Sequence, residues 1–177
     1  AHLPVQSSPE SQAAVLDFII ERLRNILLDQ GYHYDVVDAV MAAQGANPAG
    51  ALLAVQELSV WVSRPDWPVI LPAYSRCVRI TRDQKERFPV DPQAFGEAQE
   101  AELYQAYQAA EATVRRPGSV DDLWQAFLPL IPVINRFFDT VLVMAEDPRL
   151  RANRLGLLQR IAALADGVAD LSRLEGF

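Results

Sequence analysis

The sequence predicts an all-α fold, an antiparallel bundle of about eight helices. Three observations predict it. Apolar residues return every three or four positions through most of the chain, which is the spacing of one helix face. Alternating apolar and polar runs bounded by turn residues, the mark of strands, are missing. The chain has 177 residues, half of them apolar, which suits one domain with a sizeable core and hardly two.

The elements follow in order. Residues 1–9 read as a linker or cloning remnant, and residues 10–177 as the helical domain. A first helix spans about Pro9 to Gln30. Ser8 and Pro9 form an N-cap and N1 pair, Val15, Phe18, Ile19, Leu23, Ile26 and Leu27 recur at helical spacing, and Gly31 stops it. Asp35 caps a short second helix that ends at Gly45, and Asn47-Pro48 starts a third running through Trp61 and Val62. After the connection 64–68, a fourth helix covers about Val69 to Asp83, and Phe88–Val90 is loop. Asp91-Pro92 opens a fifth helix to about Val114, acidic on its surface. Arg116-Pro117-Gly118 turns the chain, and Ser119 with Asp122 reads as a capping-box variant for a sixth. Pro132 begins a seventh through Met144. Asp147-Pro148 begins an eighth that continues to Ala169 despite Gly156 and Gly167. Short connections between helices favour antiparallel neighbours.

Composition narrows the function classes. No apolar run approaches the ~18 residues of a spanning helix, so no membrane partner is expected. One cysteine, Cys77, builds neither a disulfide framework nor a zinc site, and it fits a reducing cytoplasm. Net charge is −7. Taken alone that argues against nucleic acid, since phosphate binding runs on Lys and Arg. Local distribution matters more than the sum. Four arginines and no acid lie between Pro148 and Ala165, and Arg76, Arg79, Arg82, Lys85 and Arg87 face only Asp83 and Glu86 in their stretch. Acids gather elsewhere, at Glu97, Glu100, Glu102 and Glu111.

No catalytic residue is found. Two histidines support no His-rich metal site, and His33 reads as an exposed turn residue. Cys77 falls on the apolar side of helix four and reads as core, with no His near it in sequence. Glycines stand alone at helix ends, so no phosphate loop is present. No carboxylates pair in an apolar setting.

Three polar arrangements remain. On helix eight, Leu150, Leu157, Ile161, Leu164 and Val168 share the core face, while Arg149, Asn153, Gly156 and Arg160 share a flank. Mid-helix Gly156 costs up to ~1 kcal/mol against Ala, which suits close approach of another backbone. On helix four, Arg79 and Arg82 line one side, with Arg76 beside them and Lys85 beyond, resembling a phosphate-tracking strip. A solvated basic face is the alternative for both helices. Third, helix seven is apolar nearly all round and therefore central. Its Asp139 then needs a partner, and Arg154 leans to the core side of helix eight. The expectation is a structural ion pair between them.

The run Asn135-Arg-Phe-Phe-Asp-Thr-Val-Leu-Val-Met-Ala-Glu-Asp147, then Leu150-Arg-Ala-Asn-Arg-Leu-Gly-Leu-Leu158 and Val168-Ala-Asp-Leu-Ser172, resembles the C-terminal end of the bacterial glycyl-tRNA synthetase β subunit. Phe18-x-x-Glu-Arg-Leu, Gln30-Gly-Tyr-x-Tyr-Asp-Val-Val-Asp-Ala-Val40 and Val90-Asp-Pro-x-x-Phe95 are similar to the same subunit. The resemblance implies a DALR-type, all-helical anticodon-binding domain shared with arginyl-tRNA synthetase. It implies the anticodon arm of glycine tRNA as partner, not DNA, in the cytoplasm. It also implies a parent glycine-tRNA ligase of α and β subunits, or with a fused α portion, that uses ATP and magnesium in the α part and needs neither in this segment. One departure stands on helix four, where the family's Asn-Lys-Arg-Val/Ile run reads Ser75-Arg-Cys-Val78, so Cys77 replaces a basic residue. RNA loops are bound by splayed bases on planar groups and by cations along the backbone. The expected RNA-binding set is Arg76, Arg79, Arg82, Lys85, Arg149, Asn153 and Arg160, with Asn153 able to offer a donor and an acceptor to a base edge. Two other readings stay open: a helical subunit-docking module without RNA contact, and the equivalent domain of arginyl-tRNA synthetase.

Overall fold

The computed structural model describes residues 8–177, so residues 1–7 of the expected linker lie outside it. Ser8 caps helix α1 (Pro9–Asp29), its hydroxyl accepting from the Ser11 amide at 3.2 Å. Then follow α2 (Tyr34–Gln44), α3 (Pro48–Val62), α4 (Trp67–Thr81), α5 (Ala98–Ala112), α6 (Val120–Phe127), α7 (Ile131–Thr140) and α8 (Pro148–Ala162), with single 3₁₀ turns between and after them. No strand occurs among the described residues.

Packing centres on Trp124 of α6. Its ring meets Trp67 at 5.1 Å and Phe127 at 5.5 Å, and Trp61 and Tyr74 at 6.1 Å each. Residues from α3, α4 and α6 thus share one aromatic cluster, in which tilted and edge-to-face pairs add to area burial. Cys77 is fully buried on α4, where loss of water pushes its thiol up to about 12, so it packs and does not attack.

Several expected boundaries move, each for a physical reason. α2 has His33, not Asp35, at its N-cap position. The buried Asp35 carboxylate instead accepts from the amides of Val36 and Glu175 and from His33. The expected fifth helix is split: Asp91 caps only the turn Pro92–Ala94, and α5 starts afresh at Ala98 behind a Glu97–Glu100 capping box. Asp122 does not close a box on Ser119; its carboxylate takes the Arg116 amide and guanidinium.

The seventh helix ends at Thr140, four residues short of the expectation. Beyond it Val141 and Val143 are buried while Leu142 and Met144 are exposed, an alternation that mimics an all-round apolar helix when read as one. Carbonyls there find partners on α8: Arg154 donates to Leu142 and Arg151 to Ala145. α8 likewise ends at Ala162, followed by the turn Ala163–Ala165 and by Gly167, whose φ of +74° is open to glycine and strained for other residues.

The Asp139–Arg154 pair is not formed. Asp139 is exposed because α7 turns that face outward. Arg154 pairs with Glu100 instead, Nε to Oε1 at 2.9 Å, with side-chain exposures of 6% and 1%. Glu100 Oε2 also accepts the amides of Gly96 and Glu97. Glu100 therefore leaves the acidic surface expected for α5 and becomes the buried counter-charge.

Candidate nucleic-acid interface

The basic end of α4, the irregular segment after it and the C-terminal end of α8 enclose connected clefts. The first, about 500 Å³, is lined by Tyr74, Thr81, Lys85, Arg87, Gln159 and Phe177 among others. A second, about 380 Å³, is lined by Arg87, Tyr107, Arg115, Gly156, Gln159 and Arg160 with others. The third, about 320 Å³, adds Arg116. Arg87 and Gln159 belong to both the first and second, and Arg115 to the second and third, so the three form one trough. Lys85, Arg87, Arg115, Arg116 and Arg160 stand along it, interspersed with Glu86, Glu111, Asp166 and Asp170.

Sequence-predicted residues divide by position. The guanidinium of Arg79 lies 5.6 Å over the Phe177 ring, a wall of the first cleft. Lys85 lines that cleft, and the exposed Arg82 makes only a loose 3.9 Å pair with Asp83. Arg160 lines the second cleft beside Tyr107, whose hydroxyl donates to Glu111. Burial first, then the Glu111 hydrogen bond, push that hydroxyl up to about 12, so it stays a neutral donor. Arg76 is half-buried, its guanidinium 4.3 Å over Phe138 of α7 and away from the trough's lining. Arg149 is exposed at the start of α8, roughly 16 Å along the axis from Arg160 at 1.5 Å per residue.

Asn153 is withdrawn from the surface. It is 5% exposed, and its amide is spent on one backbone: Oδ1 accepts from Asp91 N at 2.8 Å and Nδ2 donates to Asp91 O at 3.0 Å. Burial against that segment keeps the rest of the amide from a base edge. The flank it shares with Gly156 is covered by residues 86–91, which helical phase alone could not reveal. Conversely, Arg87, Arg115 and Arg116 were missed. Arg87 sits in the basic run already noticed; Arg115 precedes a turn, and its donation to Leu164 O at 2.9 Å gave no signal in sequence.

Among the described residues, His33, Asp35 and Glu175 form the only three-member group of possible metal ligands, with ligand atoms within 4.8 Å of one another. Both Asp35 oxygens already accept hydrogen bonds, one from the Glu175 amide and the other from His33 and the Val36 amide, so the cluster acts as an anchor between α2 and the C-terminal tail. The trough thus offers cations, planar groups and hydrogen-bond donors, which suit binding of a polyanion.

Residues 70–171 match the model of the DALR anticodon binding domain. The chain belongs to the DALR anticodon binding domain family. Most of α4 and all of α5 to α8 lie within that match, and with them most of the trough, whereas α1 to α3 precede it and Phe177 of the first cleft follows it. The chain is 36% identical over 166 residues to the glycine–tRNA ligase beta subunit of Moorella thermoacetica, covering 92% of this chain and 24% of that protein. It is 34% identical to the chloroplastic/mitochondrial glycine–tRNA ligase 2 of Arabidopsis thaliana, covering 98% of this chain and 16% of that protein. Against the beta subunit of Lactobacillus gasseri it is 32% identical, covering 98% and 25%. The DALR chain therefore spans about a quarter or less of the length of these curated relatives. No described helix is long and apolar enough to cross a membrane.

Proposed function

We propose that this DALR domain binds the anticodon arm of glycine tRNA as part of a glycine–tRNA ligase beta subunit, in the cytoplasm. The observation that carries the reading is the trough: five cationic side chains lie along connected clefts of a chain whose net charge is −7. Arg79, Arg82, Lys85, Arg87, Arg115 and Arg160 hold the RNA backbone, and Arg79 with Phe177 offers a stacked plane to a base. Arg149 extends the path toward the start of α8, and Arg76, on α4, braces that helix against Phe138 of α7. Glycylation itself, with ATP and magnesium, belongs to an α subunit or fused α portion of the parent enzyme.

Gel-shift titration with glycine tRNA, competed by arginine tRNA, tests this. Binding should prefer the glycine species, and log affinity should fall with log salt at about 0.7 per phosphate contacted on single strands. Indifference to salt, or equal binding of both tRNAs, overturns the specific reading. A second reading, subunit docking, has its own observation. Val15, Leu16, Phe18 and Ile19 of α1 are exposed on a helix that precedes the family match. That face is distinct from the trough, so one chain can serve both purposes.

A further inference from the structure

Between α4 and α5 the chain has only the turn Pro92–Ala94, so its backbone groups need partners from elsewhere. α8 supplies them from Asn153 and Gln159, which share a face with Gly156. Asn153 holds Asp91 by both backbone groups. Gly156 lets the segment lie directly on the helix: a Cβ there would sit 2.7 Å from Phe88 O and 3.0 Å from Pro89 O. Gln159 Oε1 accepts from Phe88 N at 3.0 Å, and its Nε2 donates to Glu86 O at 2.8 Å.

The last pair of bonds brackets a single residue. Glu86 O and Phe88 N flank Arg87, the residue on the ridge shared by the first two clefts. The Arg87 guanidinium is itself held only loosely, 3.9 Å from Asp166, with both side chains exposed. Such a surface pair is weak and exchanges readily for a closer anion, and a phosphodiester offers a guanidinium two parallel hydrogen bonds. We propose that Gln159 is a positioning residue: it fixes the backbone around Arg87 so that Arg87 meets an RNA phosphodiester where the two clefts join. The inference rests on the RNA-binding reading above. Its physical basis is preorganisation, because a backbone already fixed loses less conformational freedom on binding.

The test titrates the full chain with a glycine tRNA transcript over a salt series, using Arg87→Ala, Gln159→Met and the double variant. Arg87→Ala should weaken binding about three- to tenfold and flatten the log–log salt slope by about 0.7. Gln159→Met keeps the side-chain bulk and loses both bonds. It should cost a similar factor, and the double variant should bind no more weakly than Arg87→Ala alone. Hydrogen exchange at the Phe88 amide should rise in Gln159→Met while the unfolding midpoint moves by only a few degrees. Gln159→Leu, also neutral and without either bond, serves should Gln159→Met not fold: it should show the same loss of affinity and the same faster exchange at Phe88. Wild-type affinity in a Gln159 variant whose Phe88 amide exchanges faster, or losses that multiply in the double variant, overturn the positioning role. Wild-type behaviour of Arg87→Ala overturns the contact and leaves RNA binding standing. Absence of any binding by the unaltered chain overturns the reading beneath both.

Discussion

Arg154 donates three hydrogen bonds from a position with almost no water, two to Glu100 and one to Leu142 O. A buried pair of this kind is weak evidence of net stability, but breaking it is costly, because the remaining charge stays buried without its partner. Arg154→Met should lower unfolding free energy by about 3–5 kcal/mol, whereas Asp139→Ala, at an exposed position, should stay within about 0.5 kcal/mol. Urea denaturation of both variants checks this; similar losses would return Asp139 to the core network. Gly156 poses a question of sign. Alanine in a helix interior ordinarily gains up to ~1 kcal/mol over glycine. Here the new Cβ would meet two carbonyl oxygens of the 86–91 segment, and backbone yields less easily than a flexible side-chain tip. Overpacking of this sort costs about 1–3 kcal/mol, so Gly156→Ala should be net destabilising by thermal melt and should weaken RNA binding along with stability. A gain in melting temperature would mean that the segment does not lie on α8.

At the scale of the element, α1 shows how far periodicity reaches. Its apolar residues recur at helical spacing, and the helix forms where they predict, from Pro9 to Asp29. Yet Phe18 is 68% exposed and Leu27 only 1%, because α2 and α3 cover the later turns and leave the earlier ones open. Leu27→Ala should therefore cost about 2–5 kcal/mol, and Phe18→Ser should move the denaturation midpoint hardly at all. A large loss in Phe18→Ser would show that its face is covered after all. The same contrast explains what was legible in the sequence. Three helix starts were readable from local chemistry, Ser8-Pro9, Asn47-Pro48 and Asp147-Pro148 each combining a capping side chain with Pro at N1, whereas the like signal Asp91-Pro92 opened only a turn. Helix ends without a local stop were not. Nothing near Thr140 halts α7; the carbonyls of Leu142 and Ala145 in the stretch after it are taken by Arg154 and Arg151 of another helix. In the candidate site, the basic run of α4 was readable as charge. The burial of Asn153 was not, because it depends on an irregular segment that passes over one flank of α8.

At the scale of the whole molecule, the C-terminal tail closes the first cleft by being tied to the second helix of the chain. Asp170 N donates to Ala39 O at 2.8 Å, Gln44 Nε2 to Val168 O at 2.8 Å, Tyr34 hydroxyl to Glu175 at 2.6 Å and Glu175 N to Asp35 at 2.8 Å. These bonds bring Phe177 under Arg79 as a wall of the cleft, so α2, outside the family match, helps shape a site built mainly by α4 and α8. The tie at Asp35 titrates. Burial alone would raise its carboxyl, but the hydrogen bonds from the Glu175 amide, His33 and the Val36 amide prevail and hold it below its usual 3.8. His33 is raised above its usual 6.5, first by its hydrogen bond to Asp35, which outweighs the opposing effect of burial, with lesser help from the charges of Asp35 and Glu175. The signs give two edges. Stabilisation from Asp35 is present above 3.8 and is lost as pH falls through its lowered pKa. Stabilisation from His33 is full below 6.5 and is lost as pH rises through its raised pKa. The tail should accordingly be held most firmly between those edges. Protection of the Glu175 amide, corrected for the intrinsic pH dependence of exchange, should drop between about pH 5.5 and about pH 8. His33→Ala should abolish that drop, and Asp35→Asn should lower protection at both pH values, since an amide gives Glu175 a weaker acceptor than a carboxylate. Protection that stays constant across this window in the unaltered chain would remove His33 from the latch, leaving the backbone ties at Ala39 and Val168 to hold the cleft wall.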